Sequence, residues 1–241
     1  MNPVLPWMSA LPVTAADLLV ARRETSLAKW VRDALLAQIL GGVLVPGQRI
    51  NEPDVAAQLQ VSRVPVREAL RELESSGLVV ARKNAGVFVR QLEAIEIRDL
   101  YQLRGLLDGF CGRAVAHMQL AQREALLVQL QASICAMQAA ALQQQVQTYY
   151  AENLRFHWLL VEAVGNRALS ETYRGLVQKL HLSRLKNLSQ DVGMQASIAE
   201  HERIVHTLRQ ADAQACETLL ASHVSDAYDR LVSQTEAVCV Q

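Results

Sequence analysis

The stretch Asn51–Arg90 constrains the fold of this chain more than any other, because its residue pattern changes from helical to alternating along its length. It opens with a short segment of helical apolar period, Glu52–Leu59, which has a proline in its first turn and breaks at Gln60-Val61. Serine caps the free N–H groups of a helix start well, and a proline in the first turn costs no helical hydrogen bond. We therefore expect a second helix to start at Ser62, with Pro65 in its first turn.

This second helix, residues 62–76, is predicted to have an apolar side and a basic side. Val66, Leu70 and Leu73 recur at spacings of three and four residues, as expected for one buried helix face. The arginines form a row at intervals of four residues on another side: Arg63, Arg67 and Arg71. The pattern predicts a helix that is anchored by its apolar side and presents a stripe of positive charge.

After Gly77, which favours a helix end, the pattern becomes that of a β-hairpin. Two apolar runs, Leu78–Val80 and Val87–Val89, flank the segment Ala81–Gly86, which includes Asn84, a glycine and two cations. A short helix, a tight turn, a basic helix and a basic-tipped hairpin predict a winged helix-turn-helix. Such a helix fits the major groove of a DNA duplex, and the wing can reach the backbone or minor groove beside it.

An ordered set of short motifs makes the comparison with known proteins more specific. The motifs are Pro46-Gly47, Val61-Ser62-Arg63-x-Pro65-Val66-Arg67-Glu68-Ala69-Leu70, Gly77-Leu78-Val79 and Gly86-Val87-Phe88-Val89. Together they resemble the DNA-binding domain of the GntR superfamily of bacterial transcription regulators. The resemblance implies a winged helix-turn-helix over residues 26–90 and a homodimer that binds a two-fold DNA operator. It assigns contacts with DNA to Arg49, Ser62, Arg63, Arg67, Lys83 and Gly86.

These residues have different expected roles. Arg63 and Arg67 are expected at base edges or nearby phosphates in the major groove, although a phosphate contact that reads no sequence is the alternative for Arg63. The backbone or wing region is expected to be contacted by Arg49, Lys83 and Gly86. The charge distribution agrees, because residues 26–90 hold nine cations and six acids in a chain of formal net charge zero.

The 241 residues leave room for a second domain, and beyond residue 93 the chain has no proline and a helical pattern almost throughout. We predict helices near residues 93–118, 121–143, 146–164, 167–187, 194–210 and 212–235, with Asn166 and Asp212 at two of the joints. A further amphipathic helix is predicted over residues 26–40, and residues 1–25 have no strong period, as is typical of an N-terminal arm.

The predicted fold class is mostly α, an N-terminal winged helix-turn-helix followed by an all-α antiparallel helical bundle over residues 95–235. The order of helices and motifs in the bundle is similar to the effector-binding FCD domain of the FadR-type branch of the same superfamily. The resemblance then covers residues 26–235.

Three histidines lie on three different predicted helices of the bundle, beside apolar neighbours. Three imidazoles in a bundle core suit a borderline divalent metal, zinc or nickel. A single histidine on an apolar face is more often a core residue, so the assignment rests on the resemblance, because many FCD domains hold a metal with an Asp and three His. Those places are taken here by Asn153, His157, His201 and His223. The other histidines have no such match: His117, His181 and His206.

The amide of Asn153 stands where the family usually has a carboxylate, so we expect weaker metal binding or an anionic ligand that completes the shell. The family often places an arginine that faces the metal on the first bundle helix, and Arg104 lies there. An arginine and a metal on opposite sides of a cavity suit a small carboxylate effector. An exposed ion pair of Arg104 with Asp99 or Asp108 is the alternative, and Arg184 is a second candidate.

Other functions are less well supported. The four cysteines have no paired spacing, and we expect reduced thiols in apolar helices: Cys111, Cys135, Cys216 and Cys239. No basic signal region and no segment of roughly 20 apolar residues is evident, so we expect a cytoplasmic protein without a membrane span. A three-histidine metal could activate water in an enzyme, but no H-E-x-x-H motif supports this. A metal-sequestering or scaffold bundle is the third hypothesis.

Overall fold

The computed structural model describes residues 26–184 and 193–238, with side chains for 26–183 and 193–233. The predicted N-terminal arm, residues 1–25, lies outside the described residues. In chain order the elements are α1 (Leu27–Leu40), β1 (Arg49–Ile50), α2 (Glu52–Gln58), α3 (Arg63–Ser75), β2 (Val79–Arg82), β3 (Gly86–Val89), α4 (Ala94–Ala116), α5 (Leu120–Leu142), α6 (Val146–Val164), α7 (Arg167–Arg184), α8 (Met194–Gln210) and α9 (Ala213–Val238). The predicted fold class, a winged helix-turn-helix followed by a helical domain, is confirmed.

The described chain divides into two compact units. The unit that we call the head contains residues 26–93 and 177–184, and the unit that we call the bundle contains residues 94–176 and 193–238. The last part of α7 therefore belongs to the head. There Leu182 is buried in the core and Nε2 of His181 lies 2.8 Å from the carbonyl oxygen of Leu40.

The head is built around the apolar faces of α1 and α3, which pack against each other. Ser26 is the N-cap of α1, and its hydroxyl accepts a hydrogen bond from the amide of Lys29 at 3.2 Å. The core contains Val66, Leu70 and Leu73, which the helical period predicted to be buried, and the apolar face of α1, which includes Trp30, Val31, Leu35 and Ile39. Burial of this apolar surface holds α3 in place and leaves its basic side outward.

Ser62 lies where the sequence predicted the start of α3, but not with the predicted bond. It occupies the N-cap position in an extended conformation, and its side chain makes no capping hydrogen bond. The break before it is made by Gln60, whose φ of 53° is left-handed. The position of the helix start was therefore right, and the expected serine cap was wrong.

The wing is a three-stranded antiparallel sheet with the order β1-β3-β2. The turn is shorter than predicted, because β2 continues to Arg82 and β3 begins at Gly86, with Asn84 at a φ of 60° between them. The strand β1 was not predicted. It has two residues, too few for an alternating pattern, and it forms by pairing Arg49 with Phe88 and Ile50 with Val87.

The bundle contains six helices among the described residues, and they match the predicted ones closely. In it α4 packs against α9, α5 packs against α6 and α8, and α6 packs against α4. Gly165 ends α6 in a left-handed conformation, and the Asn166 side chain then accepts a hydrogen bond from the amide of Leu169 at 3.2 Å. Asp212 likewise accepts a hydrogen bond from the amide of Ala215 at 2.9 Å.

One expectation about α5 was wrong, namely that no segment of the chain is long and apolar enough to cross a membrane. This helix is long and apolar enough to cross a membrane by length and composition, with a mean hydropathy of 1.5 over 18 residues. It packs against α6 and α8 and buries Leu127, Leu130 and Ile134, which is the pattern of a core helix in a bundle. The three described cysteines are free thiols on helices, as expected, with Cys135 exposed on α5 and Cys111 and Cys216 buried. Cys239 lies outside the described residues.

The contact between α4 and α9 depends on glycine. Gly105, Gly109 and Gly112 recur along one side of α4, and each faces atoms of α9. A Cβ at Gly112 would lie 2.9 Å from the carbonyl oxygen of Cys216 and would overlap Cδ1 of Leu220. Because the first of these atoms belongs to the backbone, it cannot move aside as a side chain can.

We expect Gly112→Ala to lower the free energy of unfolding by about 1–3 kcal/mol, because the overpacking cost exceeds the gain in helix propensity. The matched control is Gly175→Ala on α7, where an added Cβ meets no atom within 4 Å. That substitution should raise the free energy of unfolding by about 0.5–1 kcal/mol. Urea unfolding of both variants checks this, and equal stabilisation by both would contradict the close contact.

Candidate metal centre and nucleic-acid interface

Three helices of the bundle bring three histidine rings together. His157 on α6, His201 on α8 and His223 on α9 are at most 3 % exposed. One ligand atom from each lies within 4.8 Å of those of the other two. Ring centroids are 5.4 Å apart for His157 and His201, 5.2 Å for His157 and His223, and 4.5 Å for His201 and His223.

The Nδ1 atom of each ring has a hydrogen-bond acceptor. His157 Nδ1 lies 2.8 Å from Oδ1 of Asp108, and His223 Nδ1 lies 2.6 Å from Oε2 of Glu200. His201 Nδ1 lies 2.6 Å from the carbonyl oxygen of Ser197. A backbone carbonyl only accepts, so His201 carries its proton on Nδ1 and a lone pair on Nε2. That buried Nε2 has no hydrogen-bond partner among the described residues.

The Nε2 atoms of His157 and His223 face each other at 3.3 Å. When both rings donate through Nδ1, both of these atoms carry lone pairs, which repel unless positive charge lies between them. Tetrahedral zinc with Zn–N bonds of about 2.0–2.1 Å places its ligand nitrogens about 3.4 Å apart. The three histidines therefore fit a divalent cation held by their Nε2 atoms.

Two of the rings, His157 and His201, are also in the protonation state that a metal needs. Burial lowers the pKa of His157 to about 4, assisted by the charges of Arg104 and His223 and opposed by Asp108. Burial likewise lowers the pKa of His201 well below its usual value, and the charges of His223 and His157 add to this effect. These two imidazoles are neutral at pH 7, so their lone pairs are available without the loss of a proton.

Arg104 lies in the bundle interior beside the histidines, and its side chain is only 5 % exposed. Its Nε lies 3.2 Å from Oδ2 of Asp108 and 3.2 Å from the hydroxyl of Tyr173. The Tyr173 hydroxyl in turn lies 2.9 Å from Oδ2 of Asp108. The sequence alternative of an exposed Arg104 paired with Asp108 is thus wrong about exposure, because the pair is buried.

Glu200 forms a second chain of contacts, from His223 to Arg230. Arg230 binds it in a bidentate arrangement, with NH1 2.8 Å from Oε1 and NH2 2.9 Å from Oε2. Burial alone would raise the pKa of Glu200, but hydrogen bonds from His223 and Arg230 lower it to about 2. Burial would also raise the pKa of Asp108, and its contacts with His157, Arg104 and Tyr173 lower it instead. Both carboxyl groups are therefore ionised at neutral pH.

The remaining residues predicted for this site are placed as follows. Asn153 is buried on α6, one turn before His157. Arg184 is the last residue of α7, and its side chain lies outside the described residues. His206 is exposed on α8.

Sequence reasoning did not identify the acceptors of the three histidines or their supports. Asp108 carried a signal, since it follows Arg104 by one turn in an apolar stretch, and Glu200 is next to His201. The others are recognisable only from the tertiary contacts: Tyr173, Ser197 and Arg230.

In the head, the predicted DNA-contacting residues lie on α3 and the wing, and all are exposed: Arg49, Ser62, Arg63, Arg67, Lys83 and Gly86. Three of the cations form no hydrogen bond or ion pair with described residues: Arg49, Arg63 and Lys83. Arg67 is different, because its Nε donates to Oε2 of Glu52 at 2.8 Å. The Arg67 side chain is 60 % exposed, so this pair orients the guanidinium at a small energetic gain.

Gly86 and Arg49 lie against each other in the wing. A Cβ at Gly86 would lie 3.1 Å from Nε of Arg49, and Gly86 has a φ of 102°, which side chains rarely adopt. The glycine therefore lets the Arg49 side chain cross the strand beside the wing tip. Arg82 stacks over the ring of Phe88 at 4.6 Å on the same sheet, which adds a cation that the prediction did not include.

Comparison with known protein families identifies two domains in the chain, in agreement with the fold. Residues 27–89 match the bacterial regulatory proteins of the gntR family, and residues 99–226 match the FCD domain. A protein of Paenarthrobacter nicotinovorans described as a D-xylose utilization operon transcriptional repressor is 31% identical over 202 residues, 84% of this chain and 87% of its own length. The Nta operon transcriptional regulator of Aminobacter aminovorans is 31% identical over 196 residues, 78% of this chain and 86% of its own.

Solved structures share the fold. A GntR transcriptional regulator from Rhodococcus sp. RHA1 superposes with a TM-score of 0.72 at 24% identity, over 87% of this chain and 99% of that one. McbR/YncC of E. coli superposes with a TM-score of 0.69 at 21% identity, over 88% of this chain and 99% of that one. At these identities they support the fold alone. From both domains and the relatives along most of its length, the chain belongs to the GntR family of bacterial transcription regulators, among the members with a C-terminal FCD domain.

Proposed function

We propose that this DNA-binding transcription regulator binds a two-fold operator as a homodimer and responds to a small carboxylate through a metal centre in its bundle. The observation that carries the proposal is the convergence of three buried imidazoles, each with a ligand atom within 4.8 Å of those of the other two, beside a buried arginine. The exposed basic row on α3 supports the DNA-binding half. A protein that works on operators works in the cytoplasm, which is the compartment we propose.

In the proposed complex α3 enters the major groove. Arg63 and Arg67 contact base edges or adjacent phosphates, and Ser62 lies at the end of α3 that enters first. The wing contacts the DNA backbone with Arg49 and Lys83, and Gly86 allows its close approach. A single head offers too few contacts for specific binding, so two heads on two half-sites combine their affinities.

The metal would be held by Nε2 of His157, His201 and His223, with the amide oxygen of Asn153 as the fourth ligand. When bound, a zinc or nickel ion supplies a positive charge that can accept a carboxylate oxygen. Imidazole and amide ligands bring no negative charge, so the protein donors would balance none of the charge of the ion. This favours an anionic effector, which also completes the shell.

The other end of the effector would be bound by Arg104. Among the described residues, Asp108 and Tyr173 engage its Nε, and its terminal nitrogens make no hydrogen bond there. A guanidinium whose terminal nitrogens face an acceptor binds a carboxylate in a charge-assisted, bidentate manner. Arg184 stays a second candidate for the effector. Control of DNA binding requires an effector that has different affinities for two arrangements of the heads.

The enzyme hypothesis is less well supported by the same geometry. A hydrolytic metal site needs a base that can take a proton from water. The two carboxylates nearest the histidines, Asp108 and Glu200, are each occupied by an imidazole and an arginine. Members of the family are transcription regulators and not enzymes.

Replacing Arg63 and Arg67 together by alanine should abolish the footprint on DNA. The probe is a fragment selected by the wild-type protein from random-sequence DNA. Each lost contact costs about 1–3 kcal/mol per head, and the salt dependence of binding should become less steep. Arg209→Ala, an exposed arginine on α8, is the control and should bind as the wild type does. An unchanged footprint in the double variant would contradict α3 as the reading helix.

Zinc should stabilise the metal-free protein. At a free concentration of 100 times its Kd, one zinc ion raises the free energy of unfolding by about 2.7 kcal/mol. His201→Ala should remove this increment because it removes one of three ligands, whereas His206→Ala on the exposed side of the same helix should keep it. Urea unfolding with and without zinc measures both. No increment in the wild type, and no metal in protein prepared without chelators, would end the metal proposal.

Arg104→Lys should weaken the binding of small carboxylates by about tenfold or more. The lysine ammonium keeps the positive charge but lacks the paired N–H groups with which a guanidinium binds both oxygens of a carboxylate. A panel of mono- and dicarboxylates, screened by thermal shift on the zinc-loaded wild type, supplies the probe, and calorimetry measures its affinity. Arg155→Lys on α6 is the matched control. Equal affinities for wild type and Arg104→Lys would exclude Arg104 from the effector site.

A further inference from the structure

We propose that Asp108 and Glu200 are the positioning residues of the metal centre, and this rests on the proposed function of the three histidines. Each carboxylate accepts a hydrogen bond from the Nδ1–H group of one histidine. This contact keeps the proton on Nδ1 and turns Nε2 toward the ion. Neither carboxylate is a metal ligand. Together with the carbonyl of Ser197, they give all three rings the same tautomer.

A neutral imidazole carries its proton on either nitrogen and can turn about χ2, so a ring without a fixed acceptor presents N–H to the metal part of the time. In the bundle, an acceptor lies 2.8 Å from Nδ1 of His157 and 2.6 Å from Nδ1 of His223. A carboxylate oxygen at this distance accepts the hydrogen bond from Nδ1–H, so these contacts disfavour the tautomer with its proton on Nε2, which cannot bind a metal through that atom.

The two carboxylates are themselves held in place. Asp108 is fully buried and is bound by Arg104 and Tyr173. Glu200 is bound by both terminal nitrogens of Arg230. His157 and His223 thus each end a chain that runs from an arginine through a carboxylate to the imidazole. In each chain the arginine balances the charge of the carboxylate. Held in this way, the acceptor cannot rotate away when the ion is absent.

His201 provides an internal comparison. Its Nδ1 is held by a backbone carbonyl one turn earlier on its own helix, so the tautomer of this ring follows from α8 itself. For His157 and His223 the acceptors come from different helices: Asp108 lies on α4 and Glu200 lies on α8. Correct tautomers at these two rings therefore require the assembled bundle.

Loss of such a supporting acceptor typically lowers metal affinity by 10- to 100-fold. We expect a drop of about this size for Asp108→Asn, because the amide offers one acceptor atom where the carboxylate offered two. Glu200→Gln should lower the affinity less than Glu200→Met, since methionine removes both acceptor atoms. Glu202→Gln is the matched control on the same helix, because Glu202 is exposed and contacts Gln138 instead.

The affinity is measured on the full-length protein by competition for zinc with a chromogenic chelator. A second measurement does not depend on metal. In metal-free protein labelled with ¹⁵N-histidine, the nitrogen shifts report which ring nitrogen carries the proton. The wild type should show Nδ1–H on all three rings, whether or not a further proton lies between the facing Nε2 atoms of His157 and His223, and Glu200→Met should show one ring that has lost its Nδ1–H. A purely structural role would change stability and leave the tautomers unaltered.

The outcomes separate this inference from the metal proposal. A 10- to 100-fold drop with altered tautomers in Glu200→Met, a smaller drop in Glu200→Gln and no change in Glu202→Gln support it. Zinc binding and tautomers that equal the wild type in both Glu200 variants overturn it. Arg230 is partly exposed and can reach water, so these variants remain testable if Asp108→Asn fails to fold. If the wild type binds no zinc, the metal proposal fails, and the tautomers alone decide whether Asp108 and Glu200 position the rings.

Discussion

The bundle depends on how three imidazoles are buried together. A buried imidazole needs a partner for each nitrogen, and here the Nδ1 partners are two carboxylates and one carbonyl, while the Nε2 atoms of His157 and His223 face each other. This arrangement is unfavourable without positive charge between the two atoms, because lone pairs face each other at 3.3 Å. Four helices must be in register to produce it, α4, α6, α8 and α9. The geometry of the three-histidine centre therefore depends directly on how the helices of the bundle pack.

The register has two visible causes. The glycines on α4 let the backbone of α9 come close, which brings His223 into reach of His157. The arginine-to-carboxylate pairs at Asp108 and Glu200 then fix the side chains that cross between helices. Such pairs contribute little net stability when buried, since desolvation offsets their attraction, but breaking one is costly. Their value in this bundle is the geometry they impose on the metal ligands.

Much of this could be predicted from the sequence, and the failures have physical reasons. Helices with a strong apolar period were predicted closely, because the period reports which face is buried. The strand β1 was missed, since two residues form a strand only by pairing with a partner distant in sequence. Asn153, His157, His201 and His223 came from family resemblance, and spacing alone could not have selected them. Asp108 and Glu200 were missed as acceptors, because a carboxylate's partner across a bundle leaves no periodic signal.

The most direct test of the metal centre is X-ray absorption at the zinc edge on the zinc-loaded, full-length protein. The account predicts three imidazole nitrogens at about 2.0–2.1 Å and the remaining positions filled by oxygen. A sulfur ligand at about 2.3 Å, or fewer than three imidazoles, would show that zinc is held elsewhere. In that case the convergence of His157, His201 and His223 would not be a metal site.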